Sequence, residues 1–326
     1  MRVGIVGCGL IGGKRAKSLE QCCLVAVADI DQARAQKLAA QYPACAALEN
    51  WQALVQRDDI DLVIVATTND MLAPVSLAAA RRGKHVLVEK PAARSAAELA
   101  PVIEAARAGG VVVKVGFNLR FHPALLKARE IFDSGELGPL MFIRARYGHG
   151  GRLGMEKEWR ANPAIAGGGE MLDQGVHLID LARWFAGDFV HVQGWIDTFF
   201  WEMPVEDNGF ALLRTASGQA AWLHASCTEW KNLFSFEIYG KIGKLQIDGL
   251  GGSYGTERLT WYRMLPQMGP PQTTQWEYPG EDRSWHAELA YLLDCITHRR
   301  PVAGSLEDAV QALKIVERLY TQRRAV

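Results

Sequence analysis

The sequence predicts a doubly wound parallel α/β sheet over residues 1–119, followed by an α+β region with a large, mostly antiparallel open sheet over residues 120–326. Three observations lead there. Up to about residue 118, short β-rich apolar runs alternate with helical stretches. The first run feeds a glycine-rich hexapeptide that opens a helix. Beyond residue 140, strand-like runs follow one another across short turns.

The early runs are RVGIV (2–6), LVAVA (24–28), LVIVA (62–66), HVLVE (85–89) and VVVKVGF (111–117). Near-continuous apolarity marks strands covered on both faces, as in a parallel sheet. Segments 31–41, 70–82 and 95–108 are rich in helix formers and supply the crossovers. Right-handed crossovers leave few topologies, and a Rossmann-like one leads.

In the second half, MFIRARYGH (141–149) reads as a strand, and AGGGEMLDQGVHLIDLARWF (166–185) as a helix from Glu170 onward. Strand candidates follow at 189–201, 209–216, 219–230, 233–240, 243–249 and 257–263. Turns as short as Ala216-Ser217-Gly218 imply antiparallel neighbours. The Pro-, Gly- and Gln-rich stretch 266–280 reads as a loop, and helices over 285–297 and 306–323 close the second domain. Nine of the ten tryptophans lie beyond residue 150. They read first as core, and second as an apolar sheet face joining subunits.

Lys plus Arg and Asp plus Glu are equal at 36 each. No net field therefore draws the chain to nucleic acid or to an anionic membrane. Small molecules and further copies of the chain are the expected partners, as a homodimer or homotetramer. The six cysteines form no C-x-x-C pair and suggest neither zinc nor a disulfide framework, which fits a reducing, cytoplasmic setting. The opening MRVGIVGCG enters a strand without the regions of a signal peptide. No apolar run approaches the ~20 residues of a membrane span.

Gly7-Cys8-Gly9-Leu10-Ile11-Gly12 fits G-x-G-x-x-G between a strand and a helix. There Gly7 permits the turn, Gly9 admits a pyrophosphate, and Gly12 allows close helix packing. The helix start offers free N–H groups to phosphate. Asp29, twenty-two residues after Gly7, stands where a carboxylate hydrogen-bonds the ribose of NAD. Ile30 and Asp31 bring no cation for a 2′-phosphate, so NAD is expected over NADP, with Arg34 the one residue that would reach around. HVLVE runs into Glu89-Lys90-Pro91. Ligands of open α/β sheets bind beyond the carboxyl ends of the strands, where Lys90 would steady a substrate oxygen.

With GKHVLVEKP (83–91), VGFNLRFHP (115–123) and GGGEMLDQGVHLIDLARWF following GCGLIG in order, the sequence resembles the glucose–fructose oxidoreductase / inositol dehydrogenase / rhizopine-catabolism (Gfo/Idh/MocA) family of NAD(P)-dependent oxidoreductases. The resemblance spans nearly the whole chain and is specific for family, not for substrate. It implies hydride transfer between NAD(H) and a hydroxyl or carbonyl of a sugar, cyclitol or nucleotide-sugar. It makes Lys90, Asp173 and His177 the catalytic set, with Glu89 and Asn118 near the nicotinamide and Arg120 at the substrate edge. Thr67 and Asn69 would belong to the cofactor loop. That loop departs from the family's pattern, since Thr67-Thr68-Asn69-Asp70 lacks the usual proline and following histidine.

Glu170, Asp173, His177 and Asp180 recur at helical spacing. They can be read as metal ligands, as a capped helix with a surface pair, or as a catalytic face with His177 as base and Asp173 its partner. The catalytic face is preferred beside the glycine loop and Lys90, with no metal, and Glu170 and Asp180 are left as a helix-start acid and a structural pair. Gly167, Gly168 and Gly169 are expected to let backbone approach substrate or cofactor, and Gly175 to let the helix pack on the nicotinamide side. Tyr147, Arg152, Trp159 and Arg160, with His149 and Lys157, lie in the connecting stretch 147–163, the expected specificity element. A redox-cycled lyase or glycosidase and a non-catalytic dinucleotide-binding regulator are the rival readings.

Overall fold

The computed structural model describes residues 1–323. Its helices, in chain order, are α1 (Leu10–Lys17), α2 (Gln32–Ala39), α3 (Trp51–Gln56), α4 (Asn69–Arg81), α5 (Ala100–Gly109), α6 (Pro123–Asp133), α7 (Pro163–Ala166), α8 (Val176–Ala186), α9 (Ser284–Thr297) and α10 (Leu306–Arg323). Two compact units emerge. One comprises Met1–Phe117, Ala164–Gly167 and Trp285–Leu313; the other comprises Asn118–Pro163, Gly168–Ser284 and the chain from Lys314.

The first unit holds β1 (Arg2–Val6), β2 (Cys23–Ala28), β3 (Ala46–Leu48), β4 (Leu62–Val65), β5 (His85–Val88) and β6 (Val113–Val115). All pair in parallel, in the order β3-β2-β1-β4-β5-β6. This is the doubly wound order with its switch point beside β1. The apolar residues of β4 and β5 from Leu62 to Val65 and Val86 to Val88 are wholly inaccessible, as a central strand covered on both faces requires.

Two elements had no legible signal. β3 has three half-buried residues, and α3 has six, too few to display a period. Asn50 caps α3 by accepting the Ala53 N–H at 2.8 Å, worth about 1 kcal/mol to so short a helix. A third difference concerns α9, expected in the second domain. Leu289 and Leu292 are buried with Val3, Ile5, Leu62 and Leu87, so the helix completes the core of the first unit. An amphipathic helix announces that it has an apolar face, not which sheet receives it.

The second unit holds β7 (Leu140–Gly148), β8 (Phe189–Asp197), β9 (Asn208–Thr215), β10 (Ala220–Ser226), β11 (Leu233–Gly240), β12 (Gly243–Asp248), β13 (Glu257–Arg263) and β14 (Gln272–Tyr278). Their order is β14-β13-β12-β11-β7-β10-β9-β8, antiparallel except for the β7–β10 pair. Alternation along β9 buries Ala211 and Leu213 and exposes Leu212 and Arg214. Leu125 and Ala128 of α6, and Leu178, Leu181 and Ala182 of α8, are buried with the inward residues. The alternate positions leave Phe142, Trp195, Leu212 and Trp222 between 37% and 74% exposed.

The stretch 266–280 is not a loop throughout: β14 pairs with β13 from Gln272–Arg263 to Tyr278–Glu257. An edge strand with almost no buried side chain needs no apolar alternation, so QTTQWEY carried none. Among the described residues no helix is long and apolar enough to cross a membrane, and no group of His, Cys, Asp and Glu has the arrangement of a metal site. All six cysteines are free thiols.

Candidate active site

In the first unit, the turn from β1 into α1 has the geometry its glycines imply. Gly7 sits at φ +93°, and a Cβ there would stand 2.3 Å from the Ala66 carbonyl oxygen. A Cβ on Gly12 would fall 1.9 Å from the Gly7 oxygen, while Gly9 faces open space. Open space over Gly9, at the N-terminus of α1, is the cradle a pyrophosphate needs, with the N–H groups of Leu10, Ile11 and Gly12 in the first turn. The Cys8 thiol, pushed up to about 12 by burial and then by Asp29, adds no negative charge there.

The Asp29 carboxylate accepts the Cys8 N–H at 2.6 Å and the Asp31 N–H at 2.9 Å. It is thereby oriented at the end of β2, with lone pairs left for ribose hydroxyls. Arg34 leans on Asp31 at 3.2 Å. A groove of about 640 Å³ opens beside Gly9 and Leu10 and carries Lys14, Lys17, Arg34 and Lys37. These residues fit a dinucleotide.

On the same carboxyl edge of the sheet, β5 ends in a turn closed by the Ala92 N–H on the Glu89 oxygen at 2.9 Å. The Lys90–Pro91 bond within it is cis. Glu89 is 8% exposed, and its carboxylate is gripped by Arg15 at 2.7 Å. Thr68 precedes α4 and donates to Asp70 at 2.6 Å, beside Thr67, while the Asn69 amide donates to the Ala166 oxygen at 2.8 Å. Asn69 therefore holds backbone of the 164–167 segment.

In the second unit the helix expected from Glu170 begins differently. Met171–Gly175 forms a π-helical turn, and α8 starts at Val176. Such turns concentrate at functional sites. The cap comes from far along the chain: Glu206 accepts the N–H groups of Gly169 at 3.0 Å and Met171 at 3.1 Å, and takes the Tyr320 hydroxyl at 2.8 Å. Burial raises Glu206 above the usual carboxylate range, against the bonds from Tyr320 and the backbone.

The glycines answer to this cap. A Cβ on Gly168 would meet the Tyr320 hydroxyl at 1.9 Å, and one on Gly169 the Glu206 backbone oxygen at 2.0 Å. Gly167 sits at φ +83° with Arg94 alongside. A Cβ on Gly175 would meet the Met171 sulfur at 2.4 Å and the Ala225 side chain of β10 at 3.5 Å. Gly168, Gly169 and Gly175 thus serve close packing of the helix start within the second unit.

Asp173 lies in the π-turn and accepts from Arg160 at 3.3 Å; His177 is 6% exposed, with the Tyr147 ring edge-on at 6.0 Å. The π-turn between them alters the simple i,i+4 register that the spacing suggested. His149 stands 3.1 Å from Glu170 through Nε2, while its Nδ1 accepts the Gly151 N–H at 3.0 Å. Burial pushes His149 down, but the bond to Glu170 and the charges of Glu170 and Asp173 outweigh it, so the imidazole is raised. Burial, then Tyr254, holds the Tyr147 phenol well above its ordinary value.

Asp180 is the structural partner its spacing suggested: Arg120 grips it with two bonds of 2.7 and 2.6 Å. Arg120 is only 5% exposed, with its fork on Asp180 of α8. Asn118 donates to Ser284 at 2.9 Å. In the connecting stretch, Arg152 pairs with Glu158 at 2.5 Å, and Arg160 lies over the Trp159 ring at 4.4 Å.

Glu206, Tyr320, Tyr254 and Cys227 were not singled out from the sequence. The Tyr254 ring lies 5.5 Å from that of Tyr147, and burial, then Glu170, raises the Cys227 thiol. Only Tyr254 had a local signal, the glycine-rich GLGGSYG around it. Together the second unit presents carboxylates and an imidazole pair, groups of the kind that serve in acid–base chemistry.

Residues 1–117 match the family described as "Oxidoreductase family, NAD-binding Rossmann fold", and residues 125–246 match the "GFO/IDH/MocA C-terminal domain". A levoglucosan dehydrogenase of Pseudarthrobacter phenanthrenivorans is 28% identical over 67% of this chain, a match spanning 59% of that protein's own length. A dTDP-3,4-didehydro-2,6-dideoxy-alpha-D-glucose 3-reductase of Streptomyces violaceoruber is 31% identical, over 76% of this chain and 72% of its own. Among solved structures, a levoglucosan dehydrogenase in complex with NADH and levoglucosan superposes with a TM-score of 0.90 at 22% identity, covering 100% of this chain and 97% of that one. At that identity the likeness speaks for the fold.

Proposed function

Because the chain belongs to the Gfo/Idh/MocA family of NAD-binding oxidoreductases, we propose that it transfers a hydride between NAD(H) and a hydroxyl or carbonyl carbon of a sugar, cyclitol or nucleotide-sugar. One observation carries the reading: the open cradle over Gly9 and the Lys90 turn lie on the same carboxyl edge of the six-stranded sheet. Bound NAD supplies the hydride acceptor. The residues of this chain handle the proton and the oxygen.

Oxidation of a CH–OH carbon releases a hydride from carbon and a proton from oxygen. His177 takes the proton, and Asp173 orients either the imidazole or the substrate. The Lys90 ammonium donates a hydrogen bond to the same oxygen and stabilises the negative charge that grows as hydride departs. In reverse, the same groups protonate a ketone oxygen. Gly7, Gly9, Leu10, Ile11 and Gly12 hold the pyrophosphate, and Asp29 holds the adenosine ribose. Thr67, Asn69, Glu89 and Asn118 shape the nicotinamide end. Tyr147, Arg152, Trp159 and Arg160 meet the substrate, while Arg120 acts through Asp180 to hold α8.

The test follows absorbance of the reduced nicotinamide with a panel of polyols, sugars and nucleotide-sugars. Turnover with at least one compound is expected, with kcat/KM for NAD about tenfold or more above NADP. A carboxylate–phosphate repulsion of about 1–2 kcal/mol at Asp29 suffices for that ratio. Equal use of NADP would mean that the cations of the α1–α2 groove outweigh Asp29. Silence across the panel would remove the net-redox reading and favour a redox-cycled lyase or glycosidase.

The uncovered sheet face with Phe142, Trp195, Leu212 and Trp222 joins copies of the chain into a dimer or tetramer. Light scattering on the purified protein checks this: Trp195→Asp should release monomers, and a monomeric wild type refutes it. The free thiols fit a reducing, cytoplasmic setting.

A further inference from the structure

In the interior of the first unit, four charged side chains form a line. The Lys114 ammonium stands 2.7 Å from one oxygen of Glu288, whose other oxygen accepts from Arg15 at 2.7 Å. Arg15 in turn donates through Nε to Glu89 at 2.7 Å, with its Nη2 2.6 Å from the same oxygen. Side-chain exposure is 0% for Lys114, Glu288 and Arg15, and 10% for Glu89. Trp285, three residues before Glu288 on α9, covers the Arg15 guanidinium at 4.4 Å. On another side Gly116 leaves just enough room, since a Cβ there would lie 2.7 Å from Arg15.

The signs alternate along the line, and the four charges sum to zero. Stability alone does not account for such an array, because apolar side chains of similar volume commonly serve as well or better than a buried ion pair. Its inner end is anchored twice, as Lys114 also donates to the Val115 oxygen at 2.9 Å. Its outer end is Glu89, whose N–H is held by the Val65 oxygen and whose carbonyl closes the turn bearing Lys90.

We infer that Glu288 is a positioning residue for Lys90, acting through Arg15 and Glu89 to fix the turn that presents the lysine. The inference rests on the proposed role of Lys90 at the substrate oxygen. It assigns to α9, remote in sequence from every family motif used above, a place in the working of the site. Glu89 is raised by burial; Arg15 and Lys90 act on it as opposite charges, and Glu288 as a like charge. Lys114 acts from behind Glu288.

The experiment compares wild type with the charge-balanced double variant Lys114→Gln/Glu288→Gln, which leaves the Arg15–Glu89 pair in place. Thermal melting, NADH affinity by fluorescence and kcat are read on each protein. The expected result is a folded protein with NADH affinity within about threefold of wild type and kcat about 10- to 100-fold lower, the scale of a small misplacement of a reacting group. The split is itself the readout, because a merely structural loss would lower kcat and NADH affinity together.

Wild-type kcat in the folded double variant, or kcat and NADH affinity falling together, would overturn the inference. Glu288→Asp keeps the charge and shortens the arm, and serves if the double variant does not fold; undiminished kcat there is equally fatal. Lys90→Met, assayed in parallel, separates the two claims. An inactive Lys90→Met beside a fully active double variant sinks only the role of Glu288, whereas an active Lys90→Met sinks the reading of Lys90.

Discussion

Lys90→Met is expected to lower kcat by about 10³, some 4 kcal/mol of transition-state stabilisation, while NADH affinity stays within about threefold. The substitution keeps most of the length and removes the ammonium. Glu89 and Pro91 remain, and so does the hydrogen bond that closes the turn from Ala92 to Glu89. The loss should appear in kcat, because the charge that Lys90 meets is larger in the transition state than in the bound alcohol. Single-turnover absorbance with the best compound of the panel reads it. A loss smaller than about tenfold would leave the ammonium without the role given to it here.

His177→Gln is expected to cost about 10²–10⁴ in kcat, the usual contribution of a positioned acid or base. Glutamine preserves much of the volume and can still hydrogen-bond, but it cannot carry the proton. His177 is almost wholly enclosed, with the Tyr147 ring alongside, so bulk water is a poor substitute for it. NADH affinity and the melting temperature serve as controls for folding. If kcat stays within about fivefold of wild type, the proton leaves by another group, and His149, raised by its bond to Glu170, is the next to be replaced.

Much of this site was legible because its signals are local. A glycine at positive φ before a helix, an acid at the end of the second strand and a lysine–proline pair at a strand end each describe a short stretch of backbone. The structure bears this out at Gly7 and Gly12, where any side chain would strike backbone. The unread parts are those whose cause lies elsewhere in the chain. Gly168 and Gly169 suggested an approach to a ligand, but their neighbours are Tyr320 and Glu206. Asp180 and Arg120, sixty residues apart, gave no sign that they pair. β14 went unseen because an edge strand with both faces wet has no pattern to display.

Sequence alone determined the two-part α/β and open-sheet architecture and the dinucleotide loop, while the resemblance to a family nominated the residues for hydride chemistry. Period and turn chemistry are properties of short windows, and they survive without the fold. Tertiary structure alone decided that α9 completes the first unit, that a carboxylate from residue 206 caps the helix bearing Asp173 and His177, and that Lys114, Glu288, Arg15 and Glu89 share one interior line. Whether a charge is buried, and with which partner, depends on the removal of water by residues hundreds of positions away. That desolvation exists only once the chain has folded.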